Sequence, residues 1–234
     1  MDKAPLLSVI LPVYNGEKFL DEALDSVRAQ RYPALEIIIV DDGSTDGTGT
    51  IVRNRPETIR YIRQNNGGPA AARNRGIREA QAELIAFLDA DDIWPDRSLT
   101  LRLETLRRDP ALRCVIGQVR MIRMNKPVAV ASPTLLSEPL SLPMLVGSGL
   151  FYRSVFERIG FFDEGLRQSE DLDWLLRLRE AGIPMRYLDA VTLHYRQHEN
   201  GLSKNRAAAQ QGIAKALLLS LKRRRRPESG SSSA

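Results

Sequence analysis

The chain has 234 residues, of which 43% are hydrophobic, so it can bury one substantial core, and we expect one main domain. A single cysteine, Cys114, excludes an intramolecular disulfide framework and a cysteine zinc cluster, and it is compatible with a reducing cytosol. The net charge of +5 is due largely to the basic run at residues 222–226, so the charge says little about the globular part.

The first half of the chain predicts strands that alternate with helices. Apolar runs ended by turn residues predict four strands, at Leu7–Val13, Glu36–Val40, Ile59–Ile62 and Leu84–Leu88. Apolar residues at helical spacing predict four helices. The first begins at Glu17, and the others cover Gly49–Asn54, Ala70–Ala80 and Arg97–Arg108. Because each strand is almost uniformly apolar, we predict an α/β fold with a mostly parallel sheet covered by helices on both faces.

The second half of the chain is less regular and rich in proline. Strand-like segments occur at Val115–Met124, Val128–Ala131, Leu150–Tyr152, Met185–Leu188 and Val191–Tyr195. Three further helices are predicted: a short one capped by Ser154 that ends at Ile159, one at Glu170–Ala181 that closes on Gly182, and one at Ala207–Leu221. No stretch approaches the roughly 18 apolar residues that span a bilayer, and no charged leader precedes an apolar core, so we expect a soluble, cytoplasmic protein.

Two of the predicted strands end in clusters of carboxylates. Leu84–Leu88 runs into Asp89-Ala90-Asp91-Asp92, and Glu36–Val40 runs into Asp41-Asp42-Gly43-Ser44-Thr45-Asp46. The carboxyl ends of parallel strands meet at the edge of a sheet where ligands bind, and like charges there are costly unless a cation neutralises them. Oxygen ligands without a cysteine or histidine cluster favour Mg²⁺ or Mn²⁺ over zinc. The alternative is that these aspartates serve only as turn formers and helix caps.

A glycine-rich segment precedes the third predicted helix. The small residues of Gly67-Gly68-Pro69-Ala70 let a ligand approach, and backbone amides with Arg73 or Arg75 can face an anion. The alternative is a surface helix with solvated arginines. The first strand is not followed by Gly-x-Gly-x-x-Gly, which argues against a dehydrogenase, and the absence of Gly-Lys-Ser/Thr argues against a P-loop ATPase.

Taken in order, five motifs resemble the landmarks of the family 2 glycosyltransferases, which are inverting enzymes of the GT-A fold. They are Ser8-Val9-Ile10-Leu11-Pro12-Val13-Tyr14-Asn15, Val40-Asp41-Asp42-Gly43-Ser44-Thr45-Asp46, Asn66-Gly67-Gly68 with Ala72-Arg73-Asn74, Asp89-Ala90-Asp91-Asp92 and Ser169-Glu170-Asp171. The resemblance runs from Ser8 to His198. It implies a nucleotide-binding GT-A sheet flanked by helices, with a smaller mixed region on the acceptor side.

The resemblance also implies roles for individual residues. Asp171 matches the family's catalytic base, with Glu170 next in line. Asp91 and Asp92 are the favoured metal ligands, and His198 is expected near the diphosphate and the metal. The donor nucleotide sugar would be bound by nine residues, of which the first three surround the base: Pro12, Tyr14, Asp41, Asn66, Gly67, Arg73, Asp89, Ala90 and Asp91. Gly147-Ser148-Gly149 matches a region that lines the acceptor pocket.

The implied reaction is metal-dependent, inverting transfer of a sugar from a nucleotide sugar, UDP-linked by preference, to a hydroxyl of a glycan or lipid-linked acceptor. Residues 1–221 would form one domain, with a donor half at 6–118, an acceptor half at 119–205 and a C-terminal helix at 206–221. A tail, 222–234, would follow, whose basic residues 222–226 can touch an anionic membrane at its inner face. We expect no nucleic-acid partner.

Two alternatives stay open from the sequence. The first is a sugar-nucleotide or polysaccharide binding module that has lost catalysis. The second is a sugar-phosphate nucleotidyltransferase, which should carry a glycine-rich loop with arginine and lysine after the first strand, unlike Tyr14-Asn15-Gly16.

Overall fold

Eight strands and seven helices follow one another in a computed structural model that describes residues 4–56, 58–123, 134–135, 145–198 and 206–225. The strands are β1 (Leu7–Val13), β2 (Leu35–Asp41), β3 (Ile59–Arg63), β4 (Leu84–Phe87), β5 (Cys114–Arg123), β6 (Thr134–Leu135), β7 (Gly149–Tyr152) and β8 (Met185–Gln197). The helices are α1 (Leu20–Arg28), α2 (Thr48–Asn54), α3 (Pro69–Glu79), α4 (Ser98–Arg108), α5 (Arg153–Ile159), α6 (Glu170–Glu180) and α7 (Arg206–Arg225).

All eight strands belong to one sheet, in the order β3-β2-β1-β4-β7-β5-β6, with β8 paired to β5. The first four strands are parallel, as are β5 and β8, while β7 runs antiparallel to both of its neighbours. Parallel strands need crossover connections, and α1, α2 and α3 supply them here. The predicted α/β class with a mostly parallel sheet is confirmed.

Helices cover both faces of the sheet, and each face has its own apolar core. One core joins the sheet to α1, α2 and α4, and the other joins it to α3, α5 and α6. The second core contains a cluster of aromatic rings in mutual contact: Phe87, Phe151, Phe156, Phe162 and Trp174. Helix α3 lies so close to β1 that a Cβ atom at Gly76 would collide with Ile10, which explains a glycine inside this helix. Cys114 is also buried in this core.

The structure changes several predicted element boundaries. Met185–Leu188 and Val191–Tyr195 are parts of one strand, β8, whose pairing with β5 shifts register between Ile116 and Val119. Helix α7 continues to Arg225 instead of ending at Leu221, because its last turn forms ion pairs with α6. The predicted strand at Val128–Ala131 lies outside the described residues. Among the helices that the structure describes, none is long and apolar enough to cross a membrane.

Candidate active site

The parallel order of β2, β1 and β4 brings both acidic segments to one edge of the sheet. The register pairs Val13 with Asp41, and Asp89–Asp92 follow two residues after β4 ends at Phe87. The turn after β1, which contains Tyr14, starts from the same edge. Because this is the edge where α/β sheets bind ligands, the candidate site is assembled here.

Asp41, predicted to read the nucleotide base, is already engaged by the protein. Its Oδ1 accepts a hydrogen bond from Ser44 N at 2.7 Å, and its Oδ2 accepts one from the Tyr61 hydroxyl. Burial raises the pKa of Tyr61 to about 12, and the hydrogen bond to Asp41 adds to this effect. The Asp41 side chain is only 1% exposed, whereas Tyr14 is 54% exposed and open to a ligand. Pro12 is buried in β1 opposite Val40.

Asp42 fixes the glycine-rich segment, a role that the sequence analysis missed. Its carboxylate accepts hydrogen bonds from Gly67 N at 2.8 Å, Gly68 N at 2.7 Å and Gln64 Nε2 at 2.8 Å. Gly68 has a φ of +90°, which favours glycine, and the next residue begins α3. We call these three hydrogen bonds the Asp42 clamp, and Asn66 is exposed beside it. The signal available in the sequence was the pair of adjacent aspartates, only one of which can face a ligand at a strand end.

Arg73, predicted to face a ligand anion, lies between two carboxylates of the protein. Its Nη1 donates to Glu170 Oε1, and its Nη2 donates to Asp89 Oδ1 at 2.6 Å. Arg73 and Glu170 are both buried. Burial disfavours the charged guanidinium, but Asp89 and Glu170 outweigh this effect and raise the pKa of Arg73. Helix α3 is thereby tied to the first turn of α6 and to Asp89–Asp92 after β4, which we call the acidic loop.

Asp171, the predicted base, sits in that first turn of α6 next to Glu170. Its Oδ1 accepts a hydrogen bond from Leu172 N at 2.8 Å. Burial and then the charge of Glu170 raise the pKa of Asp171 to about 7, although the charge of Arg73 acts in the opposite direction. A carboxylate that titrates near neutral pH is suited to take a proton from a reacting hydroxyl.

The two aspartates favoured as metal ligands have different surroundings. Asp91 Oδ2 lies 3.0 Å from His198 Nε2, and the Asp91 side chain is 36% exposed. Asp92 is 2% exposed, and its Oδ1 accepts a hydrogen bond from Arg196 N at 3.0 Å. Burial raises the pKa of Asp92 well above its usual range, with Asp91 and Asp89 as further causes. Ala90, between the two motif carboxylates, is also buried.

Within the described ranges, no group of three or more histidine, cysteine, aspartate or glutamate side chains surrounds a common metal position. Asp91 and His198 nevertheless supply one oxygen and one nitrogen atom side by side. Mg²⁺ and Mn²⁺ at diphosphate sites take few ligands from protein and complete their coordination with phosphate oxygens and water. The pair therefore fits a metal shared with a diphosphate, and it does not fit a closed protein cage.

Arg196, which the sequence analysis assigned no role, holds the acidic loop to α1. Its Nε donates to the backbone oxygen of Asp91, its Nη1 donates to Glu22, and its guanidinium lies 5.1 Å from the ring centroid of Phe19. The His198 ring also packs on Phe19, with 4.3 Å between the two ring centroids. No sequence signal separates this buried arginine from a solvated one, because its partners are far away along the chain.

The turn at Gly147-Ser148-Gly149 is held through all three of its carbonyl oxygens. Trp94 Nε1 donates to Gly147 O at 3.1 Å, Thr192 Oγ1 donates to Ser148 O at 2.8 Å, and Arg102 Nη1 donates to Gly149 O at 2.6 Å. Arg102 also stacks on Trp94, with 4.4 Å between guanidinium and ring centroid. Trp94 lies two residues after Asp92, so the acidic loop and the turn are fixed relative to each other.

Comparison with known structures identifies the fold. The chain is similar to a mannosyltransferase from Pyrobaculum calidifontis, in complex with GDP-Man and Mn²⁺, with a TM-score of 0.75 and 23% identity over 94% of this chain and 65% of that one. It is also similar to S. aureus TarS 1-349 in complex with UDP-GlcNAc, with a TM-score of 0.69 and 21% identity over 91% of this chain and 66% of that one. At such identities the likeness concerns the fold, which is that of the GT-A glycosyltransferases.

The family follows from the sequence comparison. The model for glycosyl transferase family 2 matches residues 8–158, and the chain belongs to this family. It is 32% identical to the uncharacterized glycosyltransferase EpsJ of Bacillus subtilis, over 86% of this chain and 63% of that protein. It is 30% identical to TuaG of the same organism, over 86% of this chain and 83% of that protein. TuaG is provisionally named as a glycosyltransferase of teichuronic acid biosynthesis. The chain spans only 35% to 65% of three Rickettsia relatives.

Proposed function

We propose that the chain transfers a sugar from a UDP-linked donor to a hydroxyl of a glycan or lipid-linked acceptor, with inversion at the sugar carbon. The observation that carries this proposal is the position of Asp171 next to Glu170, which Arg73 joins to Asp89 in the acidic loop after β4. Burial and the charge of Glu170 raise the pKa of Asp171 to about 7. An acid that titrates near pH 7 is what a general base for a sugar hydroxyl requires.

On the donor side, Pro12, Tyr14 and Asp41 contact the base in this proposal. An ionised carboxylate has about four acceptor positions, and Asp41 uses two of them within the protein. Two acceptor positions remain, and one of them is enough for the single ring N–H of uracil. Asn66 and Gly67 also bind the donor in this proposal, since the Asp42 clamp fixes Gly67 and leaves the Asn66 side chain exposed.

We assign Asp91 and His198 as the residues that would hold the Mn²⁺ or Mg²⁺ ion which accompanies the donor's diphosphate. Asp92 takes a structural role instead, because its carboxylate is buried and bonded to the backbone of β8. When bound, a divalent ion offsets the negative charge that grows on the departing diphosphate. Asp89 and Ala90 complete the donor side of the loop, where Asp89 is oriented by Arg73.

The chemical step needs one proton acceptor. The acceptor hydroxyl oxygen forms a bond to the sugar carbon, the bond from this carbon to the diphosphate oxygen breaks, and the hydroxyl proton passes to the Asp171 carboxylate. Attack from the face opposite the diphosphate inverts the configuration. Arg73 compensates the charges of Glu170 and Asp89, so that Asp171 is the member of the cluster left to titrate.

A thermal-shift screen of nucleotide sugars with and without Mn²⁺ tests the proposal. A true donor at about 100 times its Kd stabilises the folded protein by roughly 2.7 kcal/mol, and the donor that does so is then assayed for UDP release. Asp171→Asn should bind this donor but release no UDP above background. Asp163→Asn, at an exposed aspartate, is the matched control and should behave as wild type. Donor binding without UDP release by the wild-type protein would instead favour the binding module.

A further inference from the structure

Helix α7 presents an unusual concentration of exposed apolar side chains. Eight large hydrophobic residues of the described chain are exposed, and four of them lie within nine residues of this helix. We call these four the outer face of α7: Ile213, Leu217, Leu218 and Leu221, which are 44%, 46%, 58% and 47% exposed. The opposite side of the helix packs on the protein through the buried residues Ala216 and Ser220. The outer face is therefore a separate surface, and not a frayed part of the core.

The same helix is strongly basic. Its 20 residues include six lysines and arginines and no acid. The formal charge of this one helix is therefore larger than the net formal charge of +5 of the whole chain. Arg223 is used internally, since it pairs with Asp173 at 2.8 Å and with Glu180 at 2.6 Å. Lys222, Arg224 and Arg225 are exposed at the end of the outer face. Apolar and cationic groups thus share one surface.

We propose that α7 lies on an anionic membrane surface. The outer face enters the boundary between headgroups and acyl chains, and Lys222, Arg224 and Arg225 contact anionic phospholipid headgroups. Charge complementarity favours lipid over a second copy of the chain, because α7 has no acid to receive the basic residues of another α7. A stable dimer also needs about 20 to 30 residues on each side, and the outer face offers four large apolar residues.

The inner side of α7 contacts the segment that leads into the candidate base. Lys215 Nζ donates to Gly165 O at 3.0 Å, and a Cβ atom on Gly212 would lie 2.8 Å from Gln168 O. Gln168 is three residues before Asp171. A helix with its side chains is about 10 Å across, so docking would hold this segment close to the lipid surface. An acceptor held in the membrane would then be within reach, an extension that rests on the proposed function.

The test is cosedimentation of the whole chain with vesicles of phosphatidylcholine, either alone or mixed with phosphatidylglycerol. We expect binding to the mixed vesicles that weakens as salt is added. Arg224→Gln with Arg225→Gln should lower the partition coefficient roughly 25-fold, which is about fivefold for each charge removed. Arg107→Gln with Arg108→Gln removes the same charge from the last turn of α4 and should leave binding unchanged.

A second variant tests the apolar contribution. Leu217→Gln with Leu218→Gln changes only exposed side chains, so the melting temperature should stay near that of wild type while vesicle binding falls on the order of tenfold or more. Equal sedimentation with both kinds of vesicle would overturn the proposal. So would a wild-type dimer in solution that this variant converts to monomer, because the second copy would then occupy the outer face.

Vesicle binding and sugar transfer are measured separately. Binding to anionic vesicles by a chain that releases no UDP would keep this inference and remove the proposed function. The reverse pattern, transfer without vesicle binding, would remove only this inference.

Discussion

Replacing Asp171 with asparagine should lower activity and raise stability at the same time. The folded protein raises the pKa of this carboxyl from 3.8 to about 7, which means that the surroundings disfavour its charge. An amide has similar size and carries no charge, so it avoids this penalty. The same amide cannot accept the proton of an acceptor hydroxyl. We therefore expect opposite effects of one substitution on folding and on catalysis.

The pKa values set the size and the sign of the stability change. Each pKa unit corresponds to 1.36 kcal/mol, so the difference between 3.8 and about 7 corresponds to at most roughly 4 kcal/mol, less because the side chain is partly exposed. Between these pH values the folded wild-type protein holds a proton that the unfolded chain has released. The wild-type protein therefore loses stability as the pH rises through this window. The advantage of the variant should be greatest above pH 7 and vanish near pH 4.

Urea unfolding of the free proteins near pH 4 and pH 8, without nucleotide or metal, measures this difference. Asp173→Asn is the matched control in the same turn of α6. Asp173 pairs with Arg177 at 2.9 Å and with Arg223 at 2.8 Å, so its variant should lose about 1 to 3 kcal/mol. In single-turnover transfer, Asp171→Asn should be about 10² to 10⁴ slower with donor affinity nearly unchanged. A variant that is less stable than wild type at pH 8 would refute this reasoning.

Three further predictions concern other parts of the site. Chelation of the divalent metal should abolish transfer, and Asp91→Ala should weaken Mn²⁺-dependent UDP binding about tenfold or more in calorimetry. Asp92→Ala should instead cost about 1 to 3 kcal/mol of folding stability, without a loss of UDP binding that depends on metal. Asp41→Asn should lower UDP affinity about tenfold or more, and unchanged affinity in the folded variant would contradict base recognition. Arg102→Met should cost about 1 to 3 kcal/mol in urea unfolding because a buried carbonyl loses its donor, while Arg108→Met should stay within about 0.5 kcal/mol.

The fold was largely predictable because its signals are local. Parallel strands buried on both faces must be apolar along their whole length, and the runs at β1, β2 and β4 show this directly. The extent of β8 was not predictable, since the shift in its pairing depends on a strand about 70 residues earlier. The end of α7 was missed for a similar reason. Its last turn is stabilised by Glu180 on another helix, and the basic run alone resembles a solvated tail.

The site was predictable in its composition and less so in its contacts. Strand order alone brings Asp41 and Asp91 to one edge of the sheet, which is where the motifs predict the site. The sequence could not show which carboxylates are used internally, because this depends on partners distant in the chain. Asp92 bonds to β8, and Arg73 bonds to α6 and to the acidic loop instead of standing free for a ligand.

The first turn of α6 explains how a titrating carboxylate is tolerated in a cluster of acids. Three acids share this turn, and two of them are compensated by arginines from other positions: Glu170 by Arg73, and Asp173 by Arg177 and Arg223. Asp171 takes part in none of the described ion pairs, so the penalty of burial and crowding falls on it alone. Arg223 belongs to α7, which means that the helix proposed to contact lipid also compensates Asp173, an acid in the same turn as the proposed base. Loss of Arg223 should therefore disturb Asp173 and the turn that carries Asp171, even though the outer face of α7 stays intact.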